Sequence, residues 1–331
     1  MSKVRSQAAG PLVQVEDLSV RFVSRDMNVP VVNGASFTLD QGEVLCLLGE
    51  SGSGKSVTMR ALMRLLPPTA QLGGKILVDG VDVPALPRSR LGEIRGSLIS
   101  MIFQEPLTAL DPVYTIGQQI SETVCQHEGV SRRDAMRRAL ELLELVQVPS
   151  AARRLAAYPH ELSGGLRQRA MIALALSCRP KLLLADEPTT ALDATVQIQV
   201  LLLLRELQRE LGMATIFVTH DLGVACEVAD KVAVMYAGRF VETGSIEDIM
   251  DRPSHPYTQG LLNSTVSESD RDHDLASIPG APPDLTALPP GCSFAPRCAQ
   301  RRPECDTRMP TLAGPAGHQS RCILPAIRAA A

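Results

Sequence analysis

The chain has 331 residues, enough for two domains, and its 45% hydrophobic and 21% charged composition is typical of a globular protein. The formal net charge of −3 argues against nucleic acid as a partner. No apolar run reaches the roughly 18 residues that a transmembrane helix needs. The first residues, Met1 to Asp17, lack a signal-peptide core, so we expect any link to a membrane to be peripheral.

The eight cysteines form two groups. Four lie in apolar surroundings along the chain and are interpreted as small core residues: Cys46, Cys125, Cys178 and Cys226. The other four are clustered near the end: Cys292, Cys298, Cys305 and Cys322. Because the lack of a signal peptide predicts a reducing compartment, we do not expect a disulfide framework.

Three strands are predicted at the start of the chain. Val13 to Phe22 alternates loosely between apolar and polar residues, which indicates an edge strand. Val31 to Leu39 is predicted as a second strand. Val44 to Leu48 is wholly apolar, which is typical of a buried parallel strand.

The next eight residues fit the phosphate-binding P-loop pattern; they are Gly49-Glu50-Ser51-Gly52-Ser53-Gly54-Lys55-Ser56. A helix is predicted from Val57 to Leu66, stopped by Pro67, so the loop has the strand–turn–helix context that the motif requires. Backbone N–H groups and the helix N-terminus would hold the phosphates of a nucleotide. Lys55 is predicted to reach the β- and γ-phosphates, and the Ser56 hydroxyl to ligate Mg²⁺.

A helical subdomain is predicted from residue 105 to about residue 178. Before it, Lys75 to Val78 is predicted as a strand that ends in an Asp79-Gly80 turn, and Ser100 to Phe103 as a strand that ends at Gln104. Within the subdomain, the apolar positions of the helix that begins after Ser131 keep helical spacing.

A second anion site is predicted at Ser163-Gly164-Gly165, where a helix begins. Free backbone N–H groups, a hydroxyl and the helix dipole favour a phosphate there. One chain has no clear need for two such sites. Two chains arranged head to tail would use both, because each would close the nucleotide of the other.

Polar residues that could act on a phosphate follow several predicted strands. Asp186 would hold Mg²⁺, through water, and Glu187 would polarise the attacking water as general base. His220 would contact the γ-phosphate, and Gln104 would reach Mg²⁺ or the water. Each taken alone is better explained as a solvated or structural residue, but the P-loop favours catalysis. The remaining predicted elements are strands at Leu182 to Ala185, Ala214 to Thr219, Lys231 to Tyr236 and Arg239 to Gly244, the last two paired, and a helix from Thr195 to Leu211.

The order of these motifs resembles the ATP-binding cassette (ABC) family from Val13 to about Met250. The resemblance implies a sandwich dimer with two ATP molecules, each between the P-loop of one chain and the signature loop, Ser163 to Gly165, of the other. It places Asp193 in a D-loop that communicates across the dimer. It also suggests that Phe22 stacks on adenine, with a buried strand aromatic as the alternative. Leu166 departs from the commonest signature, which has glutamine, but lies outside the anion-binding core.

The tail resembles the oligopeptide/dipeptide/nickel branch of ABC importers, and most closely the ATP-binding subunits of dipeptide permeases. We therefore expect an α/β fold with an ABC-type P-loop nucleotide-binding domain over residues 1–250, which has a mixed sheet core, an antiparallel β part and the helical subdomain. A small, loop-rich and proline-rich C-terminal domain is expected over residues 251–331. The likeness lies in His255-Pro256-Tyr257-Thr258-Gln259, Ile278-Pro279-Gly280 and Pro289-Pro290-Gly291-Cys292.

The four clustered cysteines are separated by five, six and sixteen residues, whereas zinc sites favour pairs about two to four residues apart. Four thiolates on irregular loops can hold a 4Fe–4S cluster. The resemblance implies such a cluster at Cys292, Cys298, Cys305 and Cys322, because members of this branch carry one. Zinc and free thiols stay open as alternatives. The neighbouring Arg297, Arg301 and Arg302 would offset cluster charge or be ordinary solvated arginines.

The resemblance implies an ATPase subunit that drives import of di- and oligopeptides at the cytoplasmic face of a bacterial inner membrane. The expected partners are a second ATPase subunit in a heterodimer, two transmembrane permease subunits docked at Glu105 to Tyr114 and, indirectly, an extracytoplasmic solute-binding protein. Nickel or another small solute is the alternative cargo. The alternatives of another class are soluble ABC ATPases in nucleic-acid or iron–sulfur assembly work.

Overall fold

The structure is a computed structural model that describes residues 10–25, 27–190, 192–264, 277–315 and 317–324. Residues 1–9 of the stretch inspected for a signal peptide lie outside these ranges. So do residues 265–276 and 325–331 of the expected C-terminal domain. Across the described ranges, no helix combines the length and the apolar character needed to cross a membrane.

Strands in two sheets form the frame of the fold. The described strands are β1 (Val13–Val23), β2 (Asn28–Leu39), β3 (Val44–Leu48), β4 (Ala70–Val78), β5 (Val81–Asp82), β6 (Ile99–Ile102), β7 (Leu182–Asp186), β8 (Ala214–Thr219), β9 (Lys231–Tyr236), β10 (Arg239–Ser245) and β11 (Gln319–Ser320). One sheet is antiparallel with the order β2-β1-β4-β5, and the other has the order β11-β10-β9-β3-β8-β7-β6. The second sheet is mixed, because β9 to β6 pair in parallel while β10 and β11 add antiparallel strands.

Helices cover the mixed sheet and fill the insertion between β6 and β7. They are α1 (Lys55–Leu62), α2 (Leu91–Ile94), α3 (Pro106–Ala109), α4 (Ile116–Glu128), α5 (Arg132–Leu145), α6 (Ala151–Arg154), α7 (Gly164–Leu176), α8 (Ala194–Leu211), α9 (Leu222–Val228), α10 (Ile246–Asp251), α11 (Pro256–Asn263) and α12 (Glu304–Thr307). Helices α3 to α7 share a buried core with α8 and with the face of the sheet that carries Phe217.

The prediction of an edge strand at Val13 to Phe22 is wrong. Strand β1 pairs with β2 along one side and with β4 along the other, so it is central. Its alternation is real, since Val13, Val15 and Val20 are buried while Glu16 and Arg21 are exposed. Alternation indicates only that one face of a strand is buried. A central antiparallel strand with one solvated face therefore shows the same alternation as an edge strand.

Two local predictions are confirmed by the backbone. Asp79 and Gly80 both have positive φ, 50° and 77°, and link β4 to β5 in a hairpin. Strands β9 and β10 pair in the antiparallel direction, as predicted.

The helix predicted from Val57 to Leu66 instead runs from Lys55 to Leu62, because Arg64 at φ 51° interrupts it before the prolines.

The C-terminal segment packs against the mixed sheet through aromatic rings. The Tyr236 ring on β9 lies 4.6 Å from the Tyr257 ring and 5.3 Å from the Phe294 ring, measured between centroids. These rings belong to a buried cluster that also contains Leu48, at the end of β3. The tail is therefore built onto the same strand that leads into the P-loop.

Candidate functional site

The carboxyl ends of four parallel strands meet at one edge of the mixed sheet. The P-loop follows β3, Gln104 lies two residues beyond β6, Asp186 ends β7 and His220 follows β8. Ligands of open α/β sheets bind at this kind of edge. The structure thus brings together the P-loop and the polar residues that the sequence places after separate strands.

Lys55 is held inside the P-loop by backbone carbonyls. Its Nζ donates to the carbonyl oxygens of Gly49 at 2.6 Å and Glu50 at 2.9 Å, and the side chain is almost fully buried. Burial lowers the pKa of Lys55, against the opposing pull of the Glu187 and Asp186 carboxylates. A phosphate would restore the balance of charge around this ammonium group.

The P-loop is tightly packed from behind. A Cβ at Gly49 would lie 2.2 Å from the Met235 carbonyl oxygen, and one at Gly54 would lie 2.7 Å from that of Val31. The φ angles of these glycines, 151° and 107°, are also unfavourable for other residues. The glycines let the loop lie against the neighbouring strands, so its position is fixed by the sheet.

Ser56 and Asp186 form the candidate Mg²⁺ site. The Ser56 hydroxyl donates to Asp186 Oδ1 at 2.8 Å, and Asp186 is only 3% exposed. Burial raises the pKa of Asp186, although the hydrogen bond from Ser56 and the charge of Arg60 oppose the rise. A buried carboxylate beside a hydroxyl fits Mg²⁺, which prefers oxygen ligands and would compensate the buried charge.

Glu187 is the centre of a hydrogen-bond cluster. Its backbone has φ 44°, a left-handed conformation that residues other than glycine rarely adopt. Its side chain lines the cavity. Gln104 Nε2 donates to Oε2 at 3.1 Å, and the Thr190 hydroxyl donates to the same oxygen at 3.0 Å. His220 Nδ1 lies 3.4 Å from Oε1. Thr190 had no predicted role, because no spacing rule connects it to the Glu187 carboxylate.

A cavity of about 710 Å³ opens in front of these groups. The P-loop, Gln104, Glu187 and His220 line it, together with Val31 and with Leu261 and Ile278 of the C-terminal segment. Among the described residues the lining does not include Phe22, whose partly buried ring packs against the core under the antiparallel sheet. The sequence motifs of the tail include Ile278, but no role in a nucleotide cavity was predicted for Leu261 or Ile278.

The signature and D-loop residues lie together, away from the described lining of the cavity. Ser163 is the N-cap of α7, and its exposed hydroxyl accepts from the Leu166 N–H at 3.4 Å. Asp193 is the N-cap of α8 and accepts from the Val196 N–H at 3.0 Å. The two helix starts touch, because a Cβ at Gly165 would lie 2.8 Å from Val196 Cγ1, while a Cβ at Gly164 would meet Leu192 at 3.6 Å.

Among the four clustered cysteines, Cys305 interacts electrostatically with each of the other three. Burial raises the pKa of the Cys292, Cys298 and Cys322 thiols, and interaction with Cys305 raises each further. Soft thiolates suit iron–sulfur clusters and zinc. In the described ranges, however, no three His, Cys, Asp or Glu side chains are placed to hold a metal ion together. The donor chemistry fits a cluster, whereas the arrangement does not form its site.

The comparisons with known proteins cover both parts of the chain. The family model for "ABC transporter" matches residues 32–190, and the model for "oligopeptide/dipeptide transporter, C-terminal region" matches residues 241–305. The chain is 46% identical over 328 residues to the oligopeptide transport ATP-binding protein OppD of Salmonella typhimurium, covering 98% of each chain. The chain belongs to the ABC transporter family.

Two further comparisons agree with this membership. A candidate peptide import ATP-binding protein of Brucella abortus is 49% identical over 319 residues, with 96% of each chain covered. Among solved structures, the ATP-binding cassette MJ0796, a dimer in a post-hydrolysis state with ADP and Pi, aligns with a TM-score of 0.64 and 28% identity. That alignment covers 71% of this chain and 98% of the other.

These relationships confirm the predicted family, the α/β cassette fold and the ATP-hydrolysing activity. The site geometry agrees with that activity, because the phosphate-binding loop and the carboxylates of Asp186 and Glu187 meet at one sheet edge. The tail carries the oligopeptide/dipeptide transporter region, as the sequence motifs around Pro256 and Pro279 indicate.

Proposed function

We propose that this chain is the ATP-hydrolysing subunit of a bacterial importer of di- and oligopeptides. The observation that carries the proposal is the match of residues 241–305 to the oligopeptide/dipeptide transporter region, on a chain that aligns along 98% of its length with OppD. Nickel or another small solute is the alternative cargo for the same architecture. A soluble ABC ATPase that acts on nucleic acid or in iron–sulfur assembly has less support, because the names of the two relatives refer to oligopeptide transport and peptide import.

We propose that the cavity holds ATP through the P-loop, from Gly49 to Ser56. Lys55 binds the β- and γ-phosphates, with its ammonium group already aligned by two carbonyls. Ser56 and Asp186, with Gln104, are the groups that would hold Mg²⁺. When bound, Mg²⁺ neutralises charge on the phosphate oxygens. Phe22 at the adenine stays a prediction that the described packing does not favour.

Glu187 is the proposed general base for in-line attack of water on the γ-phosphate. Its carboxylate lines the cavity and is 15% exposed, so one face can accept a proton from water. Gln104 and Thr190 donate to one of its oxygens, which orients the carboxylate. His220 lies beside the other oxygen and is 56% exposed, so its ring can turn towards a γ-phosphate.

A second cassette subunit is proposed to complete each nucleotide site. The signature residues Ser163 to Gly165 and the D-loop residue Asp193 share one exposed region outside the described lining of their own chain's cavity. That placement supports a head-to-tail dimer closed by ATP. The heterodimer stays the favoured arrangement.

The permease subunits are proposed to dock at Glu105 to Tyr114. Apolar side chains are unusually exposed there: Leu107 is 57%, Val113 69% and Tyr114 49% accessible. Exposed apolar patches of this kind mark interaction sites. Gln104 directly precedes this segment and donates a hydrogen bond to Glu187, so a permease contact can reach the hydrolytic centre. We therefore place the chain peripherally, on the cytoplasmic face of the inner membrane, with a solute-binding protein acting on the outer face.

Two finer proposals concern the tail. We propose a division near residue 250, with the nucleotide-binding domain before it, its helical subdomain at about 105–178, and the C-terminal domain after it. A 4Fe–4S cluster at Cys292, Cys298, Cys305 and Cys322 is proposed as a structural staple, supported by the donor chemistry of four thiols, although the described side chains are not arranged as its site. Zinc at the same thiols is the alternative.

The test is to purify the complex from detergent-solubilised membranes without oxygen, with this chain as bait. ATP hydrolysis is then measured with short peptides, with nickel and with neither, adding the binding protein each time. We expect stimulation by peptides. Stimulation by nickel alone would change the cargo, and recovery of no membrane subunits would overturn the importer.

A further inference from the structure

Arg297, in the C-terminal segment, reaches the P-loop. Its Nη1 donates to Glu50 Oε2 at 2.8 Å and its Nη2 donates to Glu50 Oε1 at 3.1 Å, so the pair is bidentate. The Arg297 side chain is 6% exposed and that of Glu50 26%. A charge-assisted fork of this kind, largely shielded from water, fixes geometry as well as contributing energy.

The remaining guanidinium N–H groups hold other parts of the same region. Nη1 also lies 3.4 Å from Tyr236 Oη, while Nε donates to the Pro279 carbonyl at 2.9 Å and Nη2 to the Ile278 carbonyl at 3.4 Å. All five donors of the guanidinium therefore have acceptors. Lysine has three donors and no planar fork, so it cannot reproduce this set.

Glu50 is held a second time, through its backbone. Its N–H donates to the hydroxyl of Tyr257, a fully buried residue of α11, at 2.9 Å. The Glu50 carbonyl in turn accepts from Lys55 Nζ at 2.9 Å. A continuous set of contacts thus leads from the tail through Glu50 to the lysine that binds phosphate.

Arg297 also fixes a wall of the nucleotide cavity. Ile278, whose carbonyl it binds, lines the same cavity as the P-loop, together with Leu261. The Ile278 side chain packs against Gly260, where a Cβ would lie 2.9 Å from Ile278 Cγ1. Arg297 itself is outside the described lining, so its effect on ATP would pass through these neighbours.

We propose that Arg297 is a positioning residue for ATP binding, which aligns Glu50 of the P-loop with the Ile278 wall of the cavity. The inference rests on the proposed function only in that the chain binds ATP. Loss of Arg297 frees the Glu50 side chain, and with only the Tyr257 contact left the carbonyls around Lys55 are less ordered before ATP arrives. Affinity for ATP then falls, because binding must order the loop. The rate at saturating ATP changes little, because Glu187 and its partners are not in contact with Arg297.

The test measures ATP affinity on the purified full-length chain and turnover on the complex assembled with that chain. We expect Arg297→Gln to weaken ATP binding about tenfold, with kcat at saturating ATP within about twofold of the parent. The ATP affinity of Arg297→Lys should lie between those of the parent and Arg297→Gln, since lysine keeps the positive charge but lacks the planar fork of donors. Glu50→Gln should weaken ATP binding to a similar degree. The double variant, Glu50→Gln with Arg297→Gln, should bind ATP no more weakly than the weaker-binding single variant, because each substitution removes the same interaction.

Arg301→Gln is the matched control. Arg301 forms a bidentate pair with Asp306 in the same tail, but the two side chains are 52% and 42% exposed and belong to neither the P-loop nor the cavity wall. It should leave ATP affinity unchanged. The proposal is overturned if Arg301→Gln weakens binding equally, if the double variant is additive, or if kcat falls at constant affinity.

If Arg297→Gln fails to fold, Glu50→Gln is used for the test instead. Glu50 lies in the P-loop and is partly exposed, so its substitution disturbs the buried packing less. Unchanged ATP affinity in that variant would also overturn the proposal. ATP alone is the probe, so absence of peptide stimulation in the assembled importer would refute the cargo and leave the positioning role standing.

Discussion

Gln104 and Glu187 are 83 residues apart in the sequence, and the Gln104 amide donates to Glu187 Oε2 over 3.1 Å. Gln104 leads into the exposed segment proposed for permease docking, whereas Glu187 follows the strand that ends in Asp186. One hydrogen bond therefore connects the proposed docking surface to the proposed general base. A shift of the docking segment of a few tenths of an ångström would change how the carboxylate is oriented.

Glu187→Gln should stop hydrolysis and leave ATP bound. The amide keeps the size of the side chain but cannot take a proton, so we expect turnover to fall by about 10²–10⁴-fold. Single-turnover hydrolysis and retained nucleotide are measured after gel filtration. Glu210→Gln, an exposed position on α8, is the control and should be unaffected. Normal hydrolysis by Glu187→Gln would show that another group is the base.

Asp186→Asn should stabilise the Mg²⁺-free chain while abolishing hydrolysis. Burial raises the pKa of Asp186, so the charged form is disfavoured in the folded state, and this cost appears as pH rises through the folded pKa. The neutral amide can still accept the hydrogen bond from Ser56. We expect a Tm about 2 °C higher at pH 7 in EDTA.

The pH dependence provides the check on this explanation. Below the ordinary pKa of an aspartate the parent carboxyl is protonated in both states, so the advantage of Asp186→Asn should disappear. Thermal unfolding is compared at pH 7 and near pH 3.5. An equal difference at both pH values would mean that packing, and not charge, is responsible.

Glu242→Gln should loosen the tail. This fully buried carboxylate on β10 accepts from the backbone N–H groups of Ser254 and His255, at 2.6 and 2.9 Å, and lies 2.7 Å from His318 Nε2. An amide would turn one NH₂ group towards these donors. We expect a loss of about 1–3 kcal/mol in the free energy of unfolding.

The measurement for Glu242→Gln is urea unfolding combined with limited proteolysis of the tail. Glu247→Gln, an exposed position on α10, is the matched control. Stability equal to that of the control would mean that the buried carboxylate is not needed to hold the tail on the sheet.

Cys298→Ser should remove the proposed cluster. The parent chain, purified without oxygen, should contain about four iron atoms and matching acid-labile sulfide, and the variant should contain almost none. Cys178→Ser tests a cysteine outside the tail and should keep the iron. Zinc in place of iron in the parent chain would favour the zinc site over the iron–sulfur cluster. A parent chain that contains neither metal would show that the four cysteines are free thiols.

The sequence was informative wherever function depends on local order along the chain. The P-loop, Asp186 and His220 each follow an apolar run, and parallel strands bring their ends together, so the site could be predicted. The relation between Arg297 and Glu50 could not, because 247 residues separate them and either residue alone resembles an ordinary surface charge. The prediction that Arg297 is solvated or serves a cluster did not anticipate that pair.

Central and edge strands were likewise indistinguishable from the pattern. The buried face of β1 makes it alternate, and only the partners on both sides show that it is central. The tail was recognisable by its motifs, but its role in the cavity depends on Leu261 and Ile278, whose position is set by tertiary packing. Contacts between distant segments carry no periodic signal in one sequence.

Ser163→Arg tests whether the signature loop serves a neighbouring subunit. Ser163 is exposed at the start of α7 and lies outside the described lining of its own cavity. The ATP affinity of the isolated chain should therefore stay within about twofold of the parent. The assembled complex should lose its ATPase activity, because the long side chain would occupy the space that the opposite γ-phosphate needs.

Ser131→Arg is the matched control for Ser163→Arg. Ser131 is also an exposed serine at a helix N-cap, where it accepts from the Asp134 N–H at 3.2 Å. Any cost of losing such a cap is shared by both variants, so a difference in complex activity reports on the signature position. Weaker ATP binding by the isolated Ser163→Arg chain would mean that the signature loop serves the chain's own nucleotide, and the head-to-tail arrangement would have to be abandoned.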